Sequence, residues 1–377
     1  MTRPFIIDLF SGCGGFGLGA RLAGFDVKIA IDFDKDLQSS YSLNFPTTDA
    51  KLKDIGQITL EDWQDWLGDK RPDGIIGGPP CQGYSRIGKR DKDDPRNELV
   101  GHFFRHVELL RPKFFIMENV EGLLDEGTVD GVMTSLQSIA EHYTVLDPLI
   151  INAADYGAPT DRKRVVIIGY DASRMEPISH ADILGKQLKH KVTVKEAIGD
   201  LPEPLPDSAK IRDYCYAELK EQNQFKVSKY AKGLRKHPPK GFGNEAAIKK
   251  LKDGYVSGFH ITDHTPSVAA RYVATPPGKV DKISKSARLE WRGQCKTLRA
   301  GTGADKGSFQ AVRPLHPEVG RVITVREAAR LQGFPDWFLF HPTKWHSFRM
   351  IGNSVSPKMS KALLEAVKSK MNLKLAA

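Results

Sequence analysis

Short runs of β-branched and aromatic residues recur along the first half of the chain, each followed by a polar stretch whose apolar residues fall at helical spacing. Pro4-Phe5-Ile6-Ile7-Asp8-Leu9-Phe10 opens the series as a strand, and Val27 to Ile31 repeats it, ending in Asp32. Lys35 to Asn44 then reads as a helix with Leu37 and Tyr41 on one face, and Thr59 to Leu67 as another. Asp73-Gly74-Ile75-Ile76 is a short buried strand, Glu98 to Leu110 a helix, and Phe114-Phe115-Ile116-Met117 a further strand. Thr144 to Ile151 and Arg164 to Ile168 add two more. Strands alternating with helices predict an α/β fold on a doubly wound, mostly parallel sheet.

The rhythm stops near Asp171. From there to about Gly320 the chain is more polar and more basic, with cations recurring through Lys226, Lys229, Lys232, Arg235, Lys236 and Lys240, then through Arg288, Arg292, Lys296 and Arg299. Any one of these reads equally as a solvated face or as a contact surface. Order returns with Thr324 to Gln332, an amphipathic helix closed by Gly333-Phe334-Pro335, and a last helix runs from Pro357 to about Lys368. The expected organisation is one domain from residues 1–172 and 341–377, with a smaller irregular domain and hinge over 173–340.

Composition narrows the classes. A chain of 377 residues with 40% hydrophobic content can bury a real core, so disorder is excluded as the default. A formal net charge of +10 favours a polyanionic partner. Cys13, Cys81, Cys215 and Cys295 are widely spaced with no C-x-x-C pair, which argues against a disulfide framework and against a zinc site; no metal is expected. A reduced intracellular setting fits, and neither a signal peptide nor a membrane span is expected.

Two stretches concentrate the chemistry. In Gly77-Gly78-Pro79-Pro80-Cys81-Gln82-Gly83-Tyr84-Ser85 a two-proline turn presents Cys81 just past a strand's carboxyl end, where open α/β sheets bind ligands. An arbitrary free cysteine is more often a small core residue, and only context overturns that reading. In Ser11-Gly12-Cys13-Gly14-Gly15-Phe16-Gly17-Leu18-Gly19, the Gly12-x-Gly14-x-x-Gly17 spacing with Asp32 downstream suits a cofactor with an adenosine ribose, either a nicotinamide dinucleotide or S-adenosylmethionine. Phe16 favours the second, because an aromatic crowds a pyrophosphate but can lie against an adenosyl group and a sulfonium.

Taken in order, Asp8-Leu9-Phe10-Ser11-Gly12-x-Gly14-Gly15-Phe16, Gly78-Pro79-Pro80-Cys81-Gln82, Glu118-Asn119-Val120, Arg162-Lys163-Arg164, Arg326 to Pro335, and Gly352-Asn353-Ser354-Val355 resemble the motifs of the DNA cytosine-5 methyltransferases. The match covers both ends and the middle of the chain but not 171–320. One departure is visible: Thr160 stands where the family usually has glutamine. The resemblance implies a Rossmann-like, S-adenosylmethionine-dependent methyltransferase sheet and a target-recognition domain after Asp171. It also implies a monomeric bacterial or phage enzyme of the cytoplasm that acts on double-stranded DNA, either beside a cognate restriction endonuclease with which it forms no stable complex or as a solitary methyltransferase.

The residues suit that chemistry. Carbon 5 of cytosine is a poor nucleophile until a thiolate adds at C6, and Cys81 is the candidate. Charge then builds on N3, which Glu118 can meet with a proton, while Arg162 and Arg164 can hold O2 and the carboxylate. The resemblance places Phe10, Gly12, Gly14, Phe16 and Asp32 around the cofactor, together with Phe33, Asp54, Ile55, Pro80, Asn353 and Val355. It places Ser85, Thr297, Leu298 and Arg299 near the DNA. The segment 83–96, with Arg86, Lys89, Arg90 and Arg96 among turn-forming residues, reads as a loop that closes on phosphates. The target base must be flipped out of the stack for any of these groups to reach it. Alternatives are a tRNA cytosine-5 methyltransferase of the same fold, whose Cys-Phe-Thr signature this chain lacks, a silent DNA-binding regulator, and a nicotinamide oxidoreductase. An adenine-N6 methyltransferase is disfavoured, since that turn carries no cysteine.

Overall fold

The computed structural model describes residues 3–80, 98–126, 129–206, 213–219, 227–300 and 313–371. Cys81 and the stretch 83–96, with Ser85, Arg86, Lys89, Arg90 and Arg96, lie outside them.

The first half alternates as its apolar rhythm demands. Strands β1 (Phe5–Leu9), β2 (Asp26–Asp32), β3 (Asp49–Leu52), β4 (Gly74–Gly77) and β5 (Phe114–Asn119) alternate with helices α1 (Gly15–Leu22), α2 (Lys35–Asn44), α3 (Leu60–Leu67) and α4 (Glu98–Leu110). These five strands pair in parallel in the order β3-β2-β1-β4-β5. Beyond β5, after α5 (Val129–Gln137), come β6 (Thr144–Val145), β7 (Leu149–Asn152), β8 (Thr160–Asp161) and β9 (Lys163–Tyr170). Strand β9 runs antiparallel to β5, with Glu118 opposite Val166, and β6 and β7 pair antiparallel with β9. The strand expected over Thr144 to Ile151 is therefore two pieces, because Pro148 has no N–H for the ladder.

Each face of the sheet buries a separate core. One holds Phe25, Phe114, Ile116 and Val166 against the last helix, α13 (Pro357–Ser369). The other holds Leu9, Ile75, Phe103, Phe115 and Trp63. Helix α13 seats on α1 so tightly that a Cβ on Gly19 would lie 2.3 Å from Ser360 Oγ, and that hydroxyl donates to the Phe16 carbonyl at 2.7 Å. The C-terminal helix is thus bonded to the glycine turn that α1 continues.

Residues between 171 and 324 form short pieces: helices α6 (His180–Leu184), α7 (Val194–Ile198), α8 (Lys229–Leu234), α9 (Glu245–Lys252) and α10 (Pro266–Ala274), and two-residue strands β10 (Ala217–Glu218), β11 (Tyr255–Val256) and β12 (Cys295–Lys296). A third core joins this part to α2 and to helices α11 (Val325–Gln332) and α12 (Lys344–Asn353) through Tyr41, Phe45, Phe242, Phe334, Trp337 and Ile351. Thr324 and Glu327 form the reciprocal cap of α11, and Gly333 ends it at φ 99. The amphipathic pattern of α11 ends in complete burial of both faces, Arg326, Glu327 and Arg330 included. Among the described residues no helix is long and apolar enough to cross a membrane.

Candidate active site

At the carboxyl ends of β1, β2, β4 and β5 the chain leaves a crevice of about 440 Å³. This is the end of an open α/β sheet at which ligands bind. One wall is the glycine turn. Phe10 closes β1 in the left-handed region at φ 54, a strained setting for a non-glycine residue, followed by Gly12 at φ 56 and Gly14 at φ 96. A Cβ on Gly14 would meet the Phe45 ring at 2.4 Å, and one on Gly15 the Val355 carbonyl at 2.3 Å, so this turn lies flat against its neighbours only as glycine. Phe10, Gly12 and Phe16 line the crevice; Gly14 supports it from behind as the N-cap of α1.

Asp32 ends β2 at the same wall. Its Oδ2 accepts from Gly12 N at 2.8 Å and its Oδ1 from Asp34 N at 2.9 Å. Burial lifts its pKa to about 6 against the pull of those two N–H groups. Phe33, the next residue, is 66% exposed and lines the same space. Asn353, at the end of α12, and Val355 face it as well. Asp54 and Ile55 stand apart from this lining: Asp54 Oδ1 accepts from Gly56 N at 2.9 Å, and Ile55 is packed in the core.

The opposite wall carries the acid and the two arginines. Glu118, on β5, is 7% exposed, and Arg164 Nε on the neighbouring β9 lies 3.0 Å from its Oε1. Antiparallel pairing of β5 with β9 sets these side chains on adjacent strands. Arg162 is 2% exposed. Its Nη1 donates to the Gly352 carbonyl at 3.0 Å and the Leu298 carbonyl at 3.4 Å, while its Nε has no partner. Burial, with the like charge of Arg164, pushes its pKa down to about 9, and Glu118 opposes that shift. A buried cation with an unfilled donor on a crevice wall can take a ligand oxygen.

Between the walls lies Pro79-Pro80. Asn119 Nδ2 donates to the Pro79 carbonyl at 3.1 Å, fixing the turn to the end of β5. Pro80, which precedes Cys81 in sequence, lines the crevice. The described cysteines have other settings: burial pushes Cys13 and Cys295 up to about 12, and Cys13 Sγ sits 3.0 Å from Ser354 Oγ. Thiols held so high are inert as nucleophiles near neutrality.

Thr297 and Leu298 sit beside Arg162 because β12 runs parallel to β8, pairing Cys295 with Thr160. Thr297 Oγ1 donates to the Asp161 carbonyl at 3.0 Å and Leu298 is buried, while Arg299 is exposed. Thr160 is fully buried with no hydrogen-bond partner for its hydroxyl, so the threonine that stands in the usual glutamine position makes no side-chain bond there.

The sequence reading passed over several lining residues. Asp34 caps α2 and ion-pairs with Arg349 of α12, and both line the crevice. Asp34 before a helical run was a legible cap signal, whereas Arg349 carried none. Nearby, Asp36, His341 and His346 bring ligand atoms within 4.8 Å of one another; His346 Nδ1 pairs with Asp36 Oδ2 at 3.2 Å, and His341 Nδ1 engages Thr343.

Parallel strands, a glycine cradle backed by α13 and a strand-end acid define an S-adenosylmethionine-dependent methyltransferase architecture. Residues 5–369 match the C-5 cytosine-specific DNA methylase family, and the chain belongs to it. It is similar to the type II methyltransferase M.XorII of Xanthomonas oryzae pv. oryzae, with 41% identity covering 96% of this chain and 84% of that protein. It is also similar to M.DdeI of Desulfomicrobium norvegicum, with 33% identity covering 96% and 88%. Among solved structures, an E. coli protein described as a DNA modification methyltransferase encoded within a prophage superposes with a TM-score of 0.86 at 39% identity, covering 98% of this chain and 100% of that one. The Dnmt2 methyltransferase of S. pombe, 16% identical, shares the fold with a TM-score of 0.62 over 98% of this chain and 99% of that one.

Proposed function

We propose that this DNA cytosine-5 methyltransferase works by covalent catalysis on a cytosine flipped into the crevice. The observation that carries the reading is the wall formed by Glu118, its Arg164 partner and the unfilled Nε of Arg162 beside the Pro79-Pro80 turn that leads into Cys81. The Cys81 thiolate forms a bond to C6, and the C5–C6 electron pair moves toward N3 and C5. Glu118 places its proton at N3, Arg162 takes O2, and Arg164 fixes the Glu118 carboxylate. C5 is then nucleophilic. S-adenosylmethionine, when bound, supplies the methyl group as a sulfonium electrophile. A base then removes the C5 proton, the C5–C6 double bond re-forms, Cys81 leaves as thiolate and the N3 proton returns to Glu118.

The glycine cradle fits that cofactor, because its flat backbone and the adjacent Asp32 carboxylate suit an adenosyl ribose. We assign its binding to Phe10, Gly12, Phe16 and Asp32, with Phe33, Pro80, Asn353 and Val355 around it, Gly14 shaping the turn from behind, and Asp54 and Ile55, which follow β3 beside the end of β2, placed outside the lining. Residues 173–340 supply target recognition, and they hold 30 of the 56 Lys and Arg but only 18 of the 46 Asp and Glu. We assign phosphate contacts to Arg86, Lys89, Arg90 and Arg96, with Ser85, Thr297, Leu298 and Arg299 near the vacated base position. Relatives named as type II methyltransferases support a modification role; we assign that role to a monomer in a bacterial cytoplasm, beside a separate restriction endonuclease or as a solitary enzyme.

The test is duplex DNA carrying 5-fluorocytosine, incubated with the enzyme and S-adenosylmethionine. Fluorine cannot leave as a cation, so an adduct that survives denaturation and maps to Cys81 is expected. Absence of an adduct, or an adduct that persists in Cys81→Ala, refutes the mechanism.

A further inference from the structure

We infer that Asp36, His341 and His346 form a binding site for a divalent transition-metal ion of the zinc class, which ties α2 to α12 outside the crevice. Each residue offers one ligand atom, and the three atoms lie within 4.8 Å of one another. Asp36 stands in the first turn of α2 and His346 in the first turn of α12, while His341 comes from the turn that leads into α12. Two imidazoles and a carboxylate are a donor set for zinc, cobalt or nickel, whereas magnesium and calcium take oxygen ligands. No cysteine takes part, and Asp36 and His341 are more than three hundred residues apart, so no local spacing marks the site.

The geometry is closer to coordination than to an ordinary ion pair. His346 Nδ1 lies 3.2 Å from Asp36 Oδ2. Yet this nitrogen is shielded from solvent and makes no hydrogen bond among the described residues. Two ligand atoms held about 2.1 Å from one tetrahedral ion are separated by roughly 3.4 Å, so the pair already has the spacing an ion needs. The rings of His341 and His346 stand 4.5 Å apart between centroids, inclined at 47°. A buried nitrogen without a partner costs free energy, and an ion between the three groups removes that cost.

The ligands sit on backbone that is braced beforehand. Buried Ser347 holds His341 through both its backbone groups, donating from Oγ to the carbonyl at 2.6 Å and accepting from the N–H at 3.1 Å. His341 Nδ1 is 2.9 Å from Thr343 Oγ1, a bond of the kind that fixes the ring of a metal-binding histidine. Asp36 is held by the N-cap of α2, where Asp34 Oδ1 accepts from Asp36 N at 3.0 Å. Two cations of α12 are engaged elsewhere: Arg349 pairs with Asp34, and Lys344 Nζ donates to the Ile261 carbonyl at 2.7 Å. Asp34 and Arg349 line the crevice and the three ligands do not, so the ion braces from outside the same two helices that this ion pair joins at the crevice wall. The site needs none of the catalytic steps proposed above.

The experiment uses untagged full-length protein stripped with a chelator, as wild type, Asp36→Asn, His346→Gln and Cys81→Ala, titrated with CoCl2 and ZnCl2. Wild type and Cys81→Ala should each bind one Co2+ with the visible absorption bands of a four-coordinate ion, displaced by Zn2+. Zn2+ should also raise their melting temperature in proportion to the logarithm of its concentration above Kd. Asp36→Asn and His346→Gln should bind at least about tenfold more weakly, and should lose the Zn2+-dependent rise while melting close to wild type in chelator. Anomalous scattering at the zinc edge from wild-type crystals locates the ion without any substitution, and should peak between Asp36, His341 and His346. Absence of the Co2+ bands in wild type, undiminished affinity in both ligand variants, loss of binding in Cys81→Ala, or an anomalous peak elsewhere overturns the site and leaves Asp36 and His346 as an ion pair only.

Discussion

The sheet and the tract that follows it keep their shapes by different means. In the sheet, backbone groups satisfy one another along the ladders, and the strands between them are apolar, with Ile6, Ile7, Ile75, Ile76, Phe115 and Ile116 all fully buried. The tract over 173–340 has few ladders, so its buried carbonyls need other donors. Arginines provide them: Arg288 serves the four carbonyls of Val273, Thr275, Pro317 and Glu318, and Arg326 donates to the carbonyls of Ser257, Pro335 and Phe338. Arg330, with no exposure, bridges Asp200 at 2.6 Å and Asp336 at 2.7 Å and donates to the Ala197 carbonyl. A planar guanidinium with five donors satisfies irregular backbone that no single apolar side chain can. Basic composition in such a region is therefore partly structural, and counting its cations overstates the surface left for DNA.

Removing one such arginine should have the largest effect. Arg330→Ala leaves Asp200 and Asp336 buried without their shared partner and should cost about 3–5 kcal/mol, read by denaturant unfolding. A wild-type midpoint would break the comparison. In the sheet, Ile116→Ala removes a fully buried side chain from the core that packs against α13 and should cost about 2–4 kcal/mol. Its effect should appear as an empty cavity, with the Glu118–Arg164 pair still formed in a crystal structure of the variant.

The two regions should also respond oppositely to acid. Burial works against the ionised form of Glu327, but the bidentate Arg321 pair outweighs it and holds the carboxyl at about 2. That depressed value contributes stability above the unfolded glutamate range, on the order of 2–3 kcal/mol, and the contribution is lost as pH falls from about 4 toward 2. Asp8 and Asp32 are raised by burial, Asp32 to about 6. Ionising them opposes folding as pH rises through their folded values, and acidification from 7 to 5 relieves Asp32. Segment-resolved hydrogen exchange should show 321–336 losing protection between about pH 4 and 2, while 8–32 keeps or gains it between pH 7 and 5. Parallel losses in both segments would contradict the assignment. The smallest effect belongs to Asp8→Asn: both Asp8 oxygens are buried without a hydrogen-bond partner, so the neutral isostere should gain or lose no more than about 1 kcal/mol at pH 7.

Much of the site was legible in the chain. Periodicity located β1, β2, α2, α4 and β5 to within a residue or two, since each is a single apolar run or face bounded by glycine, proline or a capping side chain. Phe10, Asp32, Pro80 and Glu118 could be named because each stands at or just past a strand end, and Phe16 because it sits in the glycine-rich stretch that opens α1; both are local events. Helix α12 and its Arg349 were not legible, because that arginine meets Asp34 across more than three hundred residues. The direction of β9 was not legible either, since a buried run of valine and isoleucine reads the same parallel or antiparallel.

What the sequence determined by itself, then, is the set of strand ends, the glycine turn, the proline turn before Cys81 and the order of the motifs. All of these are decided by neighbours a few residues apart. What only the tertiary structure decided is which of them share one crevice. The antiparallel return of β9 sets Arg164 on Glu118, and α12 and β12 bring Gly352 and Leu298 to the buried Arg162. Those contacts are fixed by backbone carbonyls and buried charges far apart in the chain, and no local pattern records where such a carbonyl will end up.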